Sequence, residues 1–242
     1  MNMLNGLSVA GWAADGAVWR PVQESLSDRI TVVAVPWWHS LGAGEEDNDL
    51  HHRLMELPGP TVVFGWSLGA LIALRAARLF PEQVGAVITV GGTARMKAAA
   101  GHPGVAERRL AAMRARLDRN PRHVLDEFAE LCFAPDEAGV PELVAQYATA
   151  ALRISHESLA AGLQFLDEVD LRDDVRHITC PVLVIHGEAD AIVPPASAHH
   201  LAAALPNASL AMVPGAGHAL LHTHSDTVAQ AIGSFLDAHF SV

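Results

Sequence analysis

Apolar positions along this chain fall into two kinds of run. Short, uninterrupted runs rich in β-branched residues lie at 7–12, 30–35, 61–65, 84–90, 182–186 and 208–213. Continuous rather than alternating apolarity predicts strands covered on both faces, and so a mostly parallel sheet with helices on each side. The run at 30–35 is read as one of these buried strands. Helix-forming segments at 17–26, 51–57, 70–79, 196–205 and 225–238 separate the runs, and the alternation predicts an α/β fold. Local signals mark the ends. Asp15 or Gly16 sits near the start of the first helix, Pro36 stops the strand before it, and Pro58-Gly59-Pro60 closes the helix at 51–57. A polar loop at 40–49 carries Glu45, Glu46, Asp47 and Asp49. Between 93 and 169 the pattern changes to helix formers alone, at 105–117, 121–132, 141–155 and 159–166. No repeat, low-complexity tract or linker makes this stretch independent. One domain is expected, with residues 1–92 and 170–242 as the core and 93–169 as a helical lid insertion over the carboxyl edge of the sheet.

The most informative punctuation is Gly65-Trp66-Ser67-Leu68-Gly69, lodged between the run at 61–65 and a helix. A serine at the tip of so tight a strand-to-helix turn is held in strained backbone with its hydroxyl raised above the sheet. Glycines flank it because strand and helix pass too close for a Cβ. Such a serine needs a base to take its proton and a third group to hold that base. Asp190 follows the strand at 182–186, and His218 follows the strand at 208–213. Strand carboxyl ends share one edge in an open parallel sheet, so Ser67, Asp190 and His218 can converge there. Asp190 could instead cap a turn before Pro194-Pro195, and His218 competes with thirteen other histidines among the 14 in the chain. His186 reads as a core or supporting residue, and His222 and His224 have no placement argument. The Leu68 amide, at a helix N-terminus, and the Trp12 amide, after the first strand, are the candidate oxyanion donors. The Trp12 indole can wall an acyl pocket, or can simply be core.

Composition narrows the field. At 242 residues, half of them apolar, the chain can bury a full core. No apolar run approaches a bilayer span, and Met1-Asn2-Met3-Leu4-Asn5 lacks a basic leader, so a cytoplasmic protein is expected. Cys132 and Cys180 have neither metal-ligand nor redox spacing and read as reduced thiols. His218, His222 and His224 lack partners at ligand spacing, so no metal is expected. A net charge of −11 argues against nucleic acid. The charge is uneven, however. Arg108, Arg109, Arg114, Arg116, Arg119 and Arg122 face one acid, Asp118, within residues 108–122. That segment is either a solvated helix face or a docking stripe for an acidic partner.

Taken together, the elbow, the helical insertion, the segment Val184-Ile185-His186-Gly187-Glu188-Ala189-Asp190 and the turn Gly215-Ala216-Gly217-His218 resemble the α/β-hydrolase superfamily. Within it the chain is most similar to the pimeloyl-[acyl-carrier-protein] methyl ester carboxylesterases of biotin synthesis. The points of likeness are Gly65-Trp66-Ser67-Leu68-Gly69, Gly11-Trp12 followed by Val18-Trp19-Arg20, and residues 162–171. The resemblance implies Ser67, Asp190 and His218 as catalytic residues. By position it also implies substrate contacts from Phe128 to Cys132, and a carrier protein docked on lid arginines. The chain departs from the pattern at Ala10, where the family has histidine, and at Val35-Pro36-Trp37-Trp38-His39, where it has Asp-x-Pro-Gly. It departs again at Glu127, where an arginine precedes the lid phenylalanine, and in lacking antiparallel strands before the first run.

The expectation is a serine carboxylesterase working through an acyl-enzyme, a monomer, without cofactor, on an acyl ester carried by acyl carrier protein. A general small-molecule carboxylesterase, an acyltransferase or perhydrolase on the same residues, and a non-hydrolytic binding protein are the alternatives.

Overall fold

A computed structural model describes residues 3–42, 48–137 and 140–240. Met1, Asn2 and the acidic loop residues Glu45, Glu46 and Asp47 lie outside the described residues. The core is a six-stranded sheet in the order β2-β1-β3-β4-β5-β6. Its strands are β1 (Leu4–Val9), β2 (Ile30–Val35), β3 (Thr61–Trp66), β4 (Val84–Val90), β5 (Val182–Gly187) and β6 (Ala208–Val213). Every pairing is parallel, including Leu4↔Ile30 through Val9↔Val35 and Gly6↔Val62 through Val9↔Gly65. The chain runs from β1 outward to β2, then returns to place β3 on the other side of β1. Strand order therefore reverses between β1 and β3, and ligands gather outside the carboxyl ends at such a point.

Burial follows position in the sheet. β3 and β5 are buried at every residue and β4 at all but one. The expectation of two-sided burial fails for both edge strands. β6 has only Val213 buried. β2 has only Ile30 and Val35 buried, and Val33 is 45% exposed. Apolarity there reflects β propensity on a strand that helices cover incompletely.

The flanking helices begin where local chemistry allows. The segment read as one helix at 17–26 is a 3₁₀ turn, Gly16–Trp19, continued by α1 (Arg20–Ser25). Asp15 accepts from the Ala17 amide at its start, and Pro21 occupies the first turn of α1. Asn48 caps α2 (Asp49–Glu56) through His51 N. The helix after β3, α3 (Leu68–Leu79), is apolar almost all round because it is buried almost all round, from Leu68 to Ala77. Arg75 on α3 donates to the carbonyls of Ser40, Leu41 and Gly42 at 2.8–2.9 Å and lies over the Phe165 ring at 5.0 Å. That guanidinium ties the loop after β2, the central helix and the helical excursion together. Burial lowers its pKa from the ordinary value.

Between β4 and β5 the chain makes an excursion containing α4 (Glu107–Leu117), α5 (Pro121–Leu131), α6 (Val140–Ala151) and α7 (His156–Glu168). Its two ends are pinned together. Arg95 and Asp170 form an antiparallel bridge and an ion pair at 3.2 Å, and Leu171 N donates to Ala94 O at 2.8 Å. Then follow α8 (Ala196–Ala204), the short α9 (Leu220–Thr223) and α10 (Ser225–His239). Among the described residues no helix is long and apolar enough to cross a membrane.

The packing at the heart of the sheet leaves no room for side chains at two glycines. A Cβ on Gly65 would lie 2.3 Å from Gly69 O, and one on Gly69 would lie 2.3 Å from Val9 O. Both obstacles are backbone and cannot turn aside. Gly69→Ala is expected to destabilise the fold by about 3 kcal/mol, the upper part of the range for an overpacked core. Urea unfolding of the variant checks this; a midpoint equal to the parent's contradicts it.

Candidate active site

β3 delivers Ser67 into a turn so tight that its backbone adopts φ 56° and ψ −116°, a region costly for any residue with a Cβ. The Ser67 amide donates to Val90 O at 2.9 Å, which anchors the turn to β4. Leu68 is the first residue of α3, and first-turn amides have no partner within their own helix. Because β1 is the neighbour of β3, the turn after β1 passes against the serine. A Cβ on Gly11 would lie 3.0 Å from Ser67 Cβ. That turn closes through Ala14 N to Gly11 O at 3.2 Å with Ala13 at φ 61°, and the Trp12 amide makes no backbone hydrogen bond among the described residues. The Leu68 amide thus adjoins Ser67 in the chain, and the Gly11–Trp12 turn packs against the serine.

Asp190 and His218 meet in the interior. His218 Nδ1 lies 2.7 Å from Asp190 Oδ2, and both side chains are fully buried. Asp190 is also the turn cap that its sequence setting allowed, since its Oδ1 accepts from Ile192 N and Val193 N, each at 2.8 Å. The two oxygens divide the tasks. His186 Nε2 stands 3.3 Å from Oδ2 and 3.0 Å from Val193 O. Burial disfavours the carboxylate charge. It is outweighed by His218 and by hydrogen bonds from His186 and His218, which hold Asp190 well below the usual carboxylate range. His218 is fixed from behind as well: its carbonyl accepts from Trp66 Nε1 at 3.0 Å, and the two rings lie 5.3 Å apart. Its Nε2 is buried and makes no hydrogen bond among the described residues. The structure therefore joins Asp190 to His218 and brings Ser67 to the same edge, without a hydrogen bond between Ser67 Oγ and His218 Nε2. Contacts of this kind are often long before substrate binds and tighten in the complex.

Ser67 lines a cavity of about 160 Å³ between the sheet edge and the excursion, with Trp12, Leu110, Phe128, Leu163 and Ile192 among its apolar walls. Trp12 is locked there. Its Nε1 donates to Leu159 O at 2.8 Å, and its ring meets Phe128 edge-on at 4.9 Å. Both residues line the cavity. Cys132 does not. It is fully buried away from the cavity walls, because it caps α5 on the side of the His218 loop; its carbonyl accepts from Ala219 N at 2.8 Å. Burial, with the charges of Asp190 and Glu137, pushes its thiol pKa well up.

The arginine segment is α4 and the start of α5. Arg109 and Arg116 line the cavity. Arg114 pairs with Asp167 at 3.3 Å, Arg116 with Glu127 at 2.5 Å and Arg122 with Asp126 at 2.9 Å. Arg108 and Arg119 are exposed, with no ion pair among the described residues. The remaining histidines of interest have structural partners: His222 Nδ1 meets the Tyr147 hydroxyl at 2.9 Å, and His224 approaches Glu137 at 3.4 Å. Among the described residues no group of three or more side chains is arranged to hold a metal ion.

Several residues that shape the site were not singled out from sequence. Trp66 lies inside the elbow motif, at a position the motif leaves open. Gly91 adopts φ +56°, which favours glycine, and a Cβ there would crowd the His218 ring at 3.1 Å; the Gly91-Gly92 pair after β4 was the available signal. Glu137 gave no signal, because its partners on the His218 loop lie some 80 residues away in the chain.

A serine on a strand–turn–helix elbow, with a buried His–Asp pair at the same edge of a parallel sheet, defines a hydrolase of the α/β class. The sequence matches the Alpha/beta hydrolase family over residues 4–231, and the chain belongs to that family. It is 30% identical to the pimeloyl-[acyl-carrier protein] methyl ester esterase of Aliivibrio fischeri (strain ATCC 700601 / ES114), over 96% of this chain and 93% of that protein. It is 31% identical to the protein of the same name from Xanthomonas axonopodis pv. citri (strain 306), over 93% and 92%. Among solved structures it resembles a bromoperoxidase from Bacillus anthracis, with a TM-score of 0.87 at 21% identity, covering 98% of this chain and 92% of that one. An esterase from Exiguobacterium antarcticum gives a TM-score of 0.86 at 18% identity, covering 97% and 92%. At these identities the structural likeness is one of fold.

The depressed pKa of Asp190 has a stability consequence of definite sign. Its carboxylate stabilises the fold fully above the unfolded-state value, ordinarily 3.8, and that contribution is lost as pH falls toward the lower folded-state value. In urea unfolding, the Asp190→Asn variant is expected to be less stable than the parent at pH 7, with the gap narrowing below about pH 4. A gap constant from pH 7 to pH 2 contradicts this.

Proposed function

We propose that this protein is a serine carboxylesterase that works through an acyl-enzyme on Ser67. In this reading His218 Nε2 takes the Ser67 proton as Oγ attacks the ester carbonyl. The Leu68 and Trp12 amides stabilise the oxyanion. Collapse of the tetrahedral intermediate expels the alcohol, which takes its proton from His218. Water then enters, His218 removes its proton, and a second tetrahedral intermediate releases the acid. Asp190 holds the imidazole with Nδ1 protonated and stabilises the imidazolium. The observation that carries the reading is the buried 2.7 Å His218–Asp190 contact beside an elbow serine at φ 56°.

The substrate we infer is the methyl ester of a pimeloyl chain on acyl carrier protein, hydrolysed in biotin synthesis. Three things support it: the names of the relatives, an apolar cavity leading to Ser67, and exposed arginines on α4 at the rim of that cavity. Residues 93–169 serve as the lid, with Trp12 and Phe128 against the acyl chain. A carrier of acidic surface would dock on Arg108, Arg109 and Arg119, and binding of that kind weakens as salt rises. A specific observation favours a second reading, that of a general small-ester esterase. Arg114, Arg116 and Arg122 are engaged with the protein's own acids, which leaves a thinner basic stripe than the sequence implied.

Rescue of a biotin auxotroph lacking the methyl esterase separates the readings. Rescue by the parent chain and none by Ser67→Ala is the expected outcome; failure of the parent to rescue, with good turnover of short esters, leaves the general esterase. Asp190→Asn is expected to lower kcat by about 10³–10⁴-fold, by analogy with the tautomer-fixing aspartate of serine proteases. Steady-state kinetics on a chromogenic ester checks this, and a loss below tenfold removes Asp190 from the role.

A further inference from the structure

The loop that carries His218 is held from the excursion as well as from the core. Glu137 lies just after α5, and its side chain is 4% exposed. One carboxylate oxygen, Oε2, accepts from Ala134 N at 2.6 Å. The other, Oε1, accepts from Gly217 N at 3.0 Å and from the Thr223 hydroxyl at 2.6 Å, with His224 Nδ1 at 3.4 Å. A few residues earlier, Cys132 O accepts from Ala219 N at 2.8 Å. The amides on both sides of His218 thus donate into the same stretch of the excursion. The approach is too close for a side chain at Gly217, where a Cβ would lie 2.6 Å from Ala134 N and 2.8 Å from Cys132 O.

A buried carboxylate is costly unless donors satisfy it. Here the donors are the backbone before His218, the helix after it, and the carboxylate's own turn. The mechanism proposed above makes no use of this charge. The carbonyl of His218 itself is held by Trp66 Nε1. We propose that Glu137 is a positioning residue: it clamps the 217–223 segment so that His218 keeps one ring aimed at both Asp190 and Ser67, and it couples the seating of the lid to the alignment of the base. The proposal rests on the serine-esterase reading.

The test uses Glu137→Gln and the milder Thr223→Val, with Ser67 titrated by a fluorophosphonate so that rates are expressed per labelled site. An amide at 137 must turn an N–H toward a donor, which breaks one side of the clamp. Glu137→Gln is expected to lower kcat per labelled site at least tenfold, with KM within about twofold, because the alignment of the base changes while the acyl cavity does not. Thr223→Val leaves the Gly217 and Ala134 bonds in place and is expected to lose about threefold, which keeps the test open if Glu137→Gln folds poorly. Parent kcat per labelled site in both variants, or a loss confined to KM, overturns the clamp. A parent protein that turns over ester but takes no label at Ser67 overturns the serine-esterase reading, and the clamp's role falls with it.

Discussion

The approach of α3 to β1 and β3 is the constraint on which the rest depends. At Gly65 and Gly69 the backbones pass within 2.3 Å of where a Cβ would sit, so the chain must turn from strand to helix with no slack. Ser67 absorbs the whole turn in one residue and adopts a positive φ that ordinarily costs about 1–3 kcal/mol. That cost is borne by a helix buried on nearly all sides and by the hydrogen bond from Ser67 N to β4. The same squeeze sets the serine beside an open helix N-terminus on one flank and the Gly11–Trp12 turn on the other. The strain at Ser67 and its placement beside the Leu68 amide and the Gly11–Trp12 turn are therefore consequences of one packing contact.

The partners of the serine are placed by different means. Asp190 is fixed by its own turn, since Oδ1 holds the amides of Ile192 and Val193 while Oδ2 is left for His218. His218 lies farther beyond its strand end and is fixed by contributions from elsewhere: Trp66 from the elbow, Gly91 by the absence of a side chain, and the end of α5 through the Cys132 carbonyl and the Glu137 side chain. The excursion thus does more than cover the cavity. Its apolar residues form one wall over Ser67, its Arg114, Arg116 and Arg122 pair with its own acids, and the buried Glu137 side chain reaches the loop that carries His218.

How much of this was legible follows from the range of the interactions. The strands of the sheet could be read from continuous apolar runs, because two-sided burial leaves no polar alternation to blur them. The elbow could be read because its glycines and serine are adjacent in sequence. Asp190 and His218 could be read because each follows a strand end. The exposure of β2 could not, because a strand's coverage depends on neighbours that the strand itself does not encode. Cys132 was placed against substrate from its position after Phe128, yet the residue that caps a helix can face away from the side chains of its last turn, and this one faces the His218 loop. Glu137 and Trp66 stayed hidden for the same reason: their partners are remote in sequence, and each lies where the local pattern permits almost any residue.

The central claim, that Ser67 becomes acylated during turnover, is tested most directly by mass spectrometry of protein quenched while hydrolysing a p-nitrophenyl ester. The account predicts a mass increase equal to the acyl group, mapped to the peptide containing Ser67, appearing within one turnover and decaying as substrate is exhausted. Turnover with no acylated protein under any quench condition, or with the acyl group on a residue other than Ser67, would contradict it.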